Sequence, residues 1–327
     1  MGLDGLKKLN NKVKLDFSRE RIPTRNGYGD ALLELGKDRR IMVLCADLTD
    51  STRVKKFSKK YSKQFVEIGV AEQNLVTVAA GLAAVGKIPF VSSYAMFCPG
   101  RCWEQIRTTI CYNDQNVKVI GAHAGVSVGP DGATHQALED IAIMRALPNM
   151  IVIVPADYEQ TLKATKAIAK YKGPAYMRFA REKTEQMTTK KTPFRIGKAQ
   201  VLKQGKDIAL IGAGPMVYEC LVAAKMLQDK GIDAMVINNH TIKPLDKETI
   251  LMAAKKCKKI VTVEEAQVIG GLGGAVSEFL SENYPVKMKR VGVKDRYGES
   301  GEPDELLEQF GFSSKHIFNE AIELMKK

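Results

Sequence analysis

Two of the four histidines of this sequence lie twelve residues apart in a run of small residues, GAHAGVSVGPDGATHQALED at 121–140. The glycines of this run allow the backbone to turn and to approach a ligand closely. His123, Asp131 and His135 supply side chains that hold or move protons near neutral pH. The run therefore indicates a catalytic or binding loop, although its residues alone do not name the reaction.

Two further segments place polar or aromatic side chains directly after predicted strands. In EIGVAEQNL, residues 67–75, Glu72 opens an apolar helix, a position that the helix dipole also favours for an acid. In PFVSSYAMFCPGR, residues 89–101, Tyr94 and Phe97 enter a loop, where they could stack on a flat heterocycle or belong to the core. An acid, an aromatic pair and a His/Asp/His loop after successive strands together predict a ligand site at the carboxyl edge of a parallel sheet.

Continuous apolar runs between residues 39 and 180 predict buried parallel strands, because a strand covered on both faces is apolar at successive positions. Helix-like apolar spacing separates these runs, and a shorter series of the same kind begins at Ile208. We therefore expect two doubly wound α/β domains, residues 1–188 and 189–327, the second one smaller. The polar, lysine-rich stretch at about 182–206 is predicted to be the linker.

Composition narrows the possible partners. Lys and Arg number 50 against 37 Asp and Glu, a net charge of +13 that suits anionic metabolites or an acidic protein. No helix-turn-helix, RRM or zinc-finger pattern is present, so nucleic acid is not an expected partner. The six cysteines lie mostly in apolar segments and are expected to be buried thiols. Neither a membrane-spanning run nor a signal peptide is evident, which predicts a cytoplasmic protein without membrane association.

The motifs resemble those of the transketolase family. The segments ADLTDS, GVAEQNL, FVSSYAMF and AHAGVSVGPDGATHQALEDIAIMRALPNM, with VPAD and RFAR, are similar to its pyrimidine-binding domain, and KPLD, VEEA and GGLGGAV are similar to its C-terminal domain. The resemblance extends from about residue 20 to 320, and GPDGATHQ with MRALPNM is its most specific part. It implies a thiamine-diphosphate-dependent transferase of the pentose phosphate pathway, which moves a two-carbon ketol unit from a ketose phosphate to an aldose phosphate.

The resemblance also implies how the cofactor is bound. Glu72 would form a hydrogen bond with a ring nitrogen of the aminopyrimidine and so stabilise the imino tautomer that activates the thiazolium carbon. Tyr94 and Phe97 would line the face against which the pyrimidine stacks. The acid at the helix start and the aromatic pair then have one shared purpose.

Roles for the small-residue loop follow from the same resemblance. His123 and His135 would line the substrate channel and act in proton transfer, and Asp131 would contact substrate hydroxyls. Many relatives carry an acid where this chain has Pro130, which affects the expected loop detail but not the reaction. No catalytic residue is predicted in the C-terminal domain.

Phosphorylated substrates need cations, and a guanidinium group matches phosphate oxygens well. The family's phosphate-contacting positions fall on Arg25, Ser51 and Arg181. Arg178 lies in the same segment as Arg181 and could be mistaken for it.

An expected motif is absent from the sequence. Thiamine diphosphate is normally anchored through a divalent ion by Gly-Asp-Gly and downstream asparagines, but here Gly29 and Asp30 are followed by Ala31. We therefore expect no metal ligands in this chain and a separate N-terminal subunit that holds Mg²⁺ and the diphosphate. The expected enzyme is a heterotetramer with two copies of each chain, active only when both chains are present.

Three alternatives stay open. A 1-deoxyxylulose-5-phosphate synthase shares Tyr94, Phe97 and the loop but is typically one uninterrupted chain. The β subunit of a 2-oxo acid dehydrogenase has the same two domains, but GPDGATHQ and MRALPNM match it less well. A non-catalytic scaffold subunit would be expected to lose Glu72 or the histidines. Donor choice separates the enzymes: a hydroxypyruvate or ketose phosphate donor supports a transketolase, and a 2-oxo acid such as pyruvate supports either of the other two.

Overall fold

Two largely parallel sheets, each buried on both faces, organise the fold. The computed structural model describes residues 3–326. Its strands are β1 (Ile22–Pro23), β2 (Ile41–Cys45), β3 (Phe65–Glu67), β4 (Ile88–Tyr94), β5 (Lys118–Ala122), β6 (Ile151–Ile153), β7 (Ala175–Phe179), β8 (Lys183–Thr184), β9 (Gln200–Lys203), β10 (Ile208–Gly212), β11 (Ala234–Asn238), β12 (Thr241–Lys243), β13 (Lys259–Gln267) and β14 (Lys287–Val293).

Most of the helices lie between these strands, as the apolar spacing predicts, and the last two follow β14. They are α1 (Thr24–Leu35), α2 (Lys55–Lys60), α3 (Glu72–Ala84), α4 (Trp103–Gln105), α5 (Asp140–Arg145), α6 (Tyr158–Lys170), α7 (Met216–Asp229), α8 (Lys247–Cys257), α9 (Leu272–Asn283), α10 (Pro303–Gln309) and α11 (Ser314–Lys326). The helix α4 continues as a π-helix, Ile106–Cys111. No helix within residues 3–326 has the length and apolar character needed to cross a membrane.

The first sheet has the strand order β12-β6-β7-β5-β4-β2-β3. Every neighbouring pair from β6 to β3 is parallel, whereas β12 runs antiparallel to β6. Successive residues of β2 point to opposite faces, so that Leu44 packs in one core and Val43 in another. Burial on both faces explains why these strands are apolar throughout.

The second sheet has the order β14-β13-β10-β11-β9 and is parallel except for β9, which runs antiparallel to β11. One apolar core lies between the sheets, because Leu44 and Val91 of the first sheet share it with Ile211 and Ile237 of the second. The expected pair of doubly wound α/β domains is confirmed.

The stretch predicted to be a linker packs against the rest of the fold. Asp157 caps α6 by accepting from Gln160 N at 2.9 Å, and it also accepts from the backbone N of Met187 at 2.9 Å and of Thr188 at 2.6 Å. Met187 is fully buried in the core of the second sheet. The sequence did not reveal this packing because one buried acid, rather than an apolar pattern, holds this stretch.

Each half of the chain contributes a segment that packs with the sheet of the other half. Leu6 and Val13, near the start of the chain, pack in the core of the second sheet. Strand β12 belongs to the second half of the chain and extends the first sheet. The expectation of buried thiols is met, since all six cysteines are buried and free.

Candidate active site

The predicted site residues gather at one edge of the first sheet, where its parallel strands end. Tyr94 is the last residue of β4, His123 follows β5 directly, and Arg181 lies just beyond β7. Glu72 begins α3 after β3, and Ser51 lies in the turn after β2. Parallel strands present all their carboxyl ends at the same edge, so side chains from distant parts of the sequence meet there.

Glu72 is a buried acid held by two side chains. It is only 1% exposed. Ser93 Oγ donates to its Oε1 at 3.3 Å, and Arg101 Nη1 donates to its Oε2 at 2.8 Å. The Arg101 guanidinium also lies 4.9 Å from the centre of the Phe97 ring. Because an unpaired buried carboxylate is costly, the charge-assisted bond from Arg101 is what offsets the burial of Glu72 in this chain.

Four rings form an aromatic wall beside this acid: Tyr94, Phe97, His123 and His135. Tyr94 stacks on His123 with 4.1 Å between ring centres and lies 6.2 Å from Phe97. His135 meets Phe97 edge-on at 5.3 Å, and its Nδ1 lies 3.0 Å from the Thr134 hydroxyl. The wall combines flat faces for stacking with two imidazoles that can form hydrogen bonds with a bound molecule.

His123 is a neutral imidazole, buried to 1% exposure on a backbone with φ of 54°. Arg25 Nη1 lies 3.2 Å from His123 Nε2. A guanidinium only donates, so Nε2 accepts and the proton belongs on Nδ1. Burial lowers the pKa of His123 to about 3, helped by the charges of Arg25, Arg181 and Arg53. Nδ1 has no partner among the described residues, which leaves its N–H available to a bound oxygen.

Three arginines, Arg25, Arg53 and Arg181, lie near His123. Arg25 Nη1 donates to the Ser51 carbonyl oxygen at 3.1 Å, and Arg181 Nη1 lies 3.5 Å from Asp131 Oδ1. Burial lowers the pKa of Arg25, and the charges of Arg53 and Arg181 lower it further. Neighbouring like charges of this kind are stabilised by a bound anion.

Arg178 and Arg181 lie in different environments. Arg178 is buried, with Nη1 at 2.7 Å from Asp140 Oδ1 and Nη2 donating to the Glu265 carbonyl oxygen at 3.0 Å. Tyr176 donates to the other oxygen of Asp140 at 2.6 Å. Arg178 is therefore part of the core, and Arg181, with a side chain 30% exposed, is the arginine that reaches the site.

The site contains cations that the sequence interpretation missed. Arg101 follows Phe97 in the same loop, and Arg53 follows Ser51 in the same turn. Arg53 Nε donates to Asn26 Oδ1 at 3.0 Å. A basic residue within four positions of a predicted site residue was the signal that could have identified both.

The donors and faces of this site suit a flat nitrogen heterocycle. Glu72 offers a buried carboxylate to a ring nitrogen, and the aromatic wall offers stacking faces. Within the described range, 3–326, no group of three His, Cys, Asp or Glu side chains is placed to hold a metal ion. The structure brings all nine predicted residues to one edge of the sheet, while the role of each one stays a prediction.

Comparison with known proteins gives a consistent family. Residues 20–186 match the model of the transketolase pyrimidine binding domain, and residues 197–317 match the model of the transketolase C-terminal domain. A Methanocaldococcus jannaschii protein described as a transketolase C-terminal section is 47% identical over 308 residues, which cover 93% of this chain and 96% of that protein.

Two further likenesses are of the same kind. A Clostridium sp. protein named as a 6-deoxy-6-sulfo-D-fructose transketolase subunit is 42% identical over 304 residues, which cover 93% of this chain and 94% of that subunit. A solved structure described as a split gene transketolase, inactive β4 tetramer, superimposes with a TM-score of 0.88 at 45% identity, covering 93% of this chain and 99% of the other.

Proposed function

Because the chain belongs to the transketolase family, as a split-type subunit of these thiamine-diphosphate-dependent enzymes, we propose that it transfers a two-carbon ketol unit from a ketose phosphate to an aldose phosphate. The observation that carries this proposal is the buried carboxylate of Glu72 beside the aromatic wall. The reaction would belong to the pentose phosphate pathway.

Glu72, Tyr94 and Phe97 are the residues that would hold the aminopyrimidine half of thiamine diphosphate. When bound, this cofactor supplies the carbon nucleophile to which the ketol unit is attached. Glu72 would hold a proton between its carboxylate and the pyrimidine ring nitrogen, and Ser93 would keep the carboxylate in place through its 3.3 Å hydrogen bond. Tyr94 and Phe97 would exclude water from the ring face.

The two histidines of the aromatic wall would act on the substrate in different ways. His123 is neutral and has an unpaired Nδ1–H, so it would donate a hydrogen bond to a substrate oxygen. His135 is half-buried and uses Nδ1 toward Thr134, which leaves Nε2 to exchange a proton with a substrate hydroxyl. Asp131 would accept from a neighbouring hydroxyl of the sugar.

Arg25, Ser51 and Arg181 would bind the substrate phosphate. Support comes from the desolvation of Arg25 and from the mutual repulsion of the arginines, which a dianion would offset. The relative named for a sulfonated sugar indicates that a terminal anion other than phosphate is a choice within this family. Arg53 lies near Arg25 and would be the first residue to replace in a test of which terminal anion the site prefers.

A separate N-terminal subunit would hold Mg²⁺ and the diphosphate, and the enzyme would be a heterotetramer with two copies of each chain. The names of the relatives support this, since one is described as a C-terminal section and another as a subunit. The similar solved structure is that of a split gene transketolase in an inactive β4 tetramer, which agrees with a chain that needs a second subunit for activity. We place the domain boundary of this chain between residues 188 and 189.

The donor test distinguishes this reaction from its alternatives. The chain, mixed with its N-terminal subunit, thiamine diphosphate and Mg²⁺, is expected to transfer a ketol unit from hydroxypyruvate or a ketose phosphate to ribose 5-phosphate, and to leave pyruvate unused. Pyruvate consumption with glyceraldehyde 3-phosphate would point to a deoxyxylulose-phosphate synthase. Pyruvate decarboxylation without carbon transfer to an aldose would point to a 2-oxo acid dehydrogenase, and inactivity with every donor would point to a scaffold.

A further inference from the structure

The active-site loop, residues 123–138, is held by the C-terminal domain as well as by its own sheet. Ser127 N donates to Glu265 Oε1 at 2.6 Å across 138 positions of sequence. Gln267 N donates to the Leu138 carbonyl oxygen at 2.8 Å. Glu265 and Gln267 both belong to β13 of the second sheet, so one strand contacts both halves of the loop.

The surroundings of Glu265 disfavour its charged form. Its carboxylate is buried, and burial raises its pKa despite the hydrogen bond from Ser127 and the nearby charge of Arg178. Because an uncompensated buried carboxylate is destabilising, the hydrogen bond from Ser127 N is part of what offsets its burial here. The Glu265 carboxylate also packs directly against the loop backbone at Gly125. Gly125 has φ of 93°, and an added Cβ there would collide with this carboxylate.

A second contact fixes the far end of the loop. Gln136 Nε2 donates to the carbonyl oxygens of Val126 at 3.0 Å and Glu299 at 2.9 Å. Near Gly129 the ring of Pro303 lies close enough that a Cβ would be 3.0 Å from it. The C-terminal domain thus contacts the loop at several positions between Gly125 and Gln136.

We propose that Glu265 is a positioning residue for the active site: by accepting from Ser127 N, its carboxylate sets where His123, Asp131 and His135 stand relative to the substrate. Its catalytic consequence rests on the proposed function. A loop that lost this acceptor would move by a fraction of an ångström or more, and a misplacement of about 1 Å can cost roughly a hundredfold in rate. Glu72, Tyr94 and Phe97 lie outside this loop, so cofactor binding would be spared.

The neighbouring Glu264 provides a matched control. It is also buried, in the same strand, but its oxygens accept from Leu272 N at 2.6 Å and Gly273 N at 2.8 Å, at the start of α9. Glu264→Ala and Glu265→Ala therefore remove the same acceptor group from adjacent positions, and only Glu265 contacts the active-site loop.

Hydrogen exchange on the full chain tests the proposal without any assay of activity. In Glu265→Ala, amides of residues 125–136 should exchange at least about tenfold faster than in the wild type, with α9 unchanged, and Glu264→Ala should show the reverse pattern. Equal protection of the loop in Glu265→Ala and wild type, or equal loosening in both variants, would overturn it. Gly125→Ala disturbs the same contact from the loop side and gives a second reading if Glu265→Ala folds poorly.

Kinetics of the complex with the N-terminal subunit then separate positioning from stability. Glu265→Ala should lower kcat about tenfold or more and leave the affinity for thiamine diphosphate within about twofold, while Glu264→Ala keeps kcat within about twofold. A matched loss of cofactor affinity and kcat would indicate a general loss of structure and contradict the proposal. An inactive wild-type complex would contradict the proposed reaction alone, because the exchange result does not depend on it.

Discussion

Arg101 and Glu72 form an ion pair of 2.8 Å between a half-exposed guanidinium and a buried carboxylate. The acid proposed to bind the cofactor pyrimidine therefore already has a cationic partner in this chain. A positive charge at this distance opposes the placement of a proton on a neighbouring ring nitrogen. Release of Arg101 would accordingly accompany cofactor binding, and both members of the pair can be tested.

Replacement of Glu72 tests its role in activation of the cofactor. Glu72→Gln keeps the shape of the side chain but removes the charge, so turnover of the assembled enzyme should fall by roughly two to four orders of magnitude. The matched control is Glu104→Gln, whose side chain is exposed. Near-normal turnover in Glu72→Gln, measured with hydroxypyruvate as donor, would show that another group fulfils this role.

Replacement of Arg101 should strengthen the binding of thiamine diphosphate. Arg101→Gln frees Glu72 from a partly exposed ion pair, which is worth about 1 kcal/mol or less, so the cofactor should bind up to about fivefold more tightly. Calorimetric titration of the assembled enzyme measures this change. Weaker binding would mean that Arg101 orients Glu72 for the cofactor instead of competing with it.

Substrate phosphate recognition is expected to depend on Arg25. Arg25→Gln should raise KM for phosphorylated sugars about ten- to a hundredfold, because a charge-assisted bond to a dianion is lost. KM for hydroxypyruvate, which has no phosphate, is the internal control and should change by less than about threefold. An equal rise for both donors would indicate that Arg25 acts mainly through its 3.2 Å contact with His123.

Arg178 and Arg181 should respond in different ways. Asp140→Asn leaves the Arg178 guanidinium without its buried partner and should destabilise the chain by about 3–5 kcal/mol. Arg181→Gln should leave the unfolding midpoint nearly unchanged and raise KM for sugar phosphates. Urea unfolding and steady-state kinetics measure the two effects, and a stable Asp140→Asn variant would contradict the assignment of Arg178 to the core.

The low pKa of His123 predicts how stability depends on pH. Its pKa falls from the ordinary 6.5 to about 3, chiefly through burial, so between these values the unfolded chain binds a proton that the folded chain does not. The free energy of unfolding should therefore decrease as the pH falls from 6.5 toward 3, by up to about 1.4 kcal/mol per pH unit from this group.

Comparison of variants isolates that contribution. His123→Gln should flatten the pH dependence of urea unfolding between pH 6.5 and 4. His240→Gln should act with the same sign, because burial lowers the pKa of His240 to about 4. An unchanged slope in His123→Gln would show that His123 is protonated in the folded chain.

Much of the first sheet and its active edge could be predicted from the sequence. Parallel strands buried on both faces are apolar throughout, and polar residues at their carboxyl ends, such as Glu72 and His123, must then converge. The packing of Met187 and of β12 could not be predicted in this way. Each depends on a single partner far away in sequence, Asp157 for the first and β6 for the second, and leaves no periodic pattern.

Glu265 illustrates the same limit at the active site. The VEEA segment places two acids inside an apolar strand, which marks them as unusual, but neither spacing nor composition indicates their donors. Only the fold shows that Glu265 accepts a hydrogen bond from Ser127 N, whereas Glu264 accepts from two backbone N–H groups at the start of α9. Positioning residues of this kind become visible only when the two domains are seen together.

The most direct test of a composite site is thiamine diphosphate binding in the presence of Mg²⁺, by this chain alone and after it is mixed with the N-terminal subunit. Tight binding and ketol transfer should occur only in the mixture, because the residues that bind the aminopyrimidine are proposed to lie in this chain and those that bind the diphosphate in its partner. Tight binding by this chain alone would contradict a composite site and would require a diphosphate site within these 327 residues.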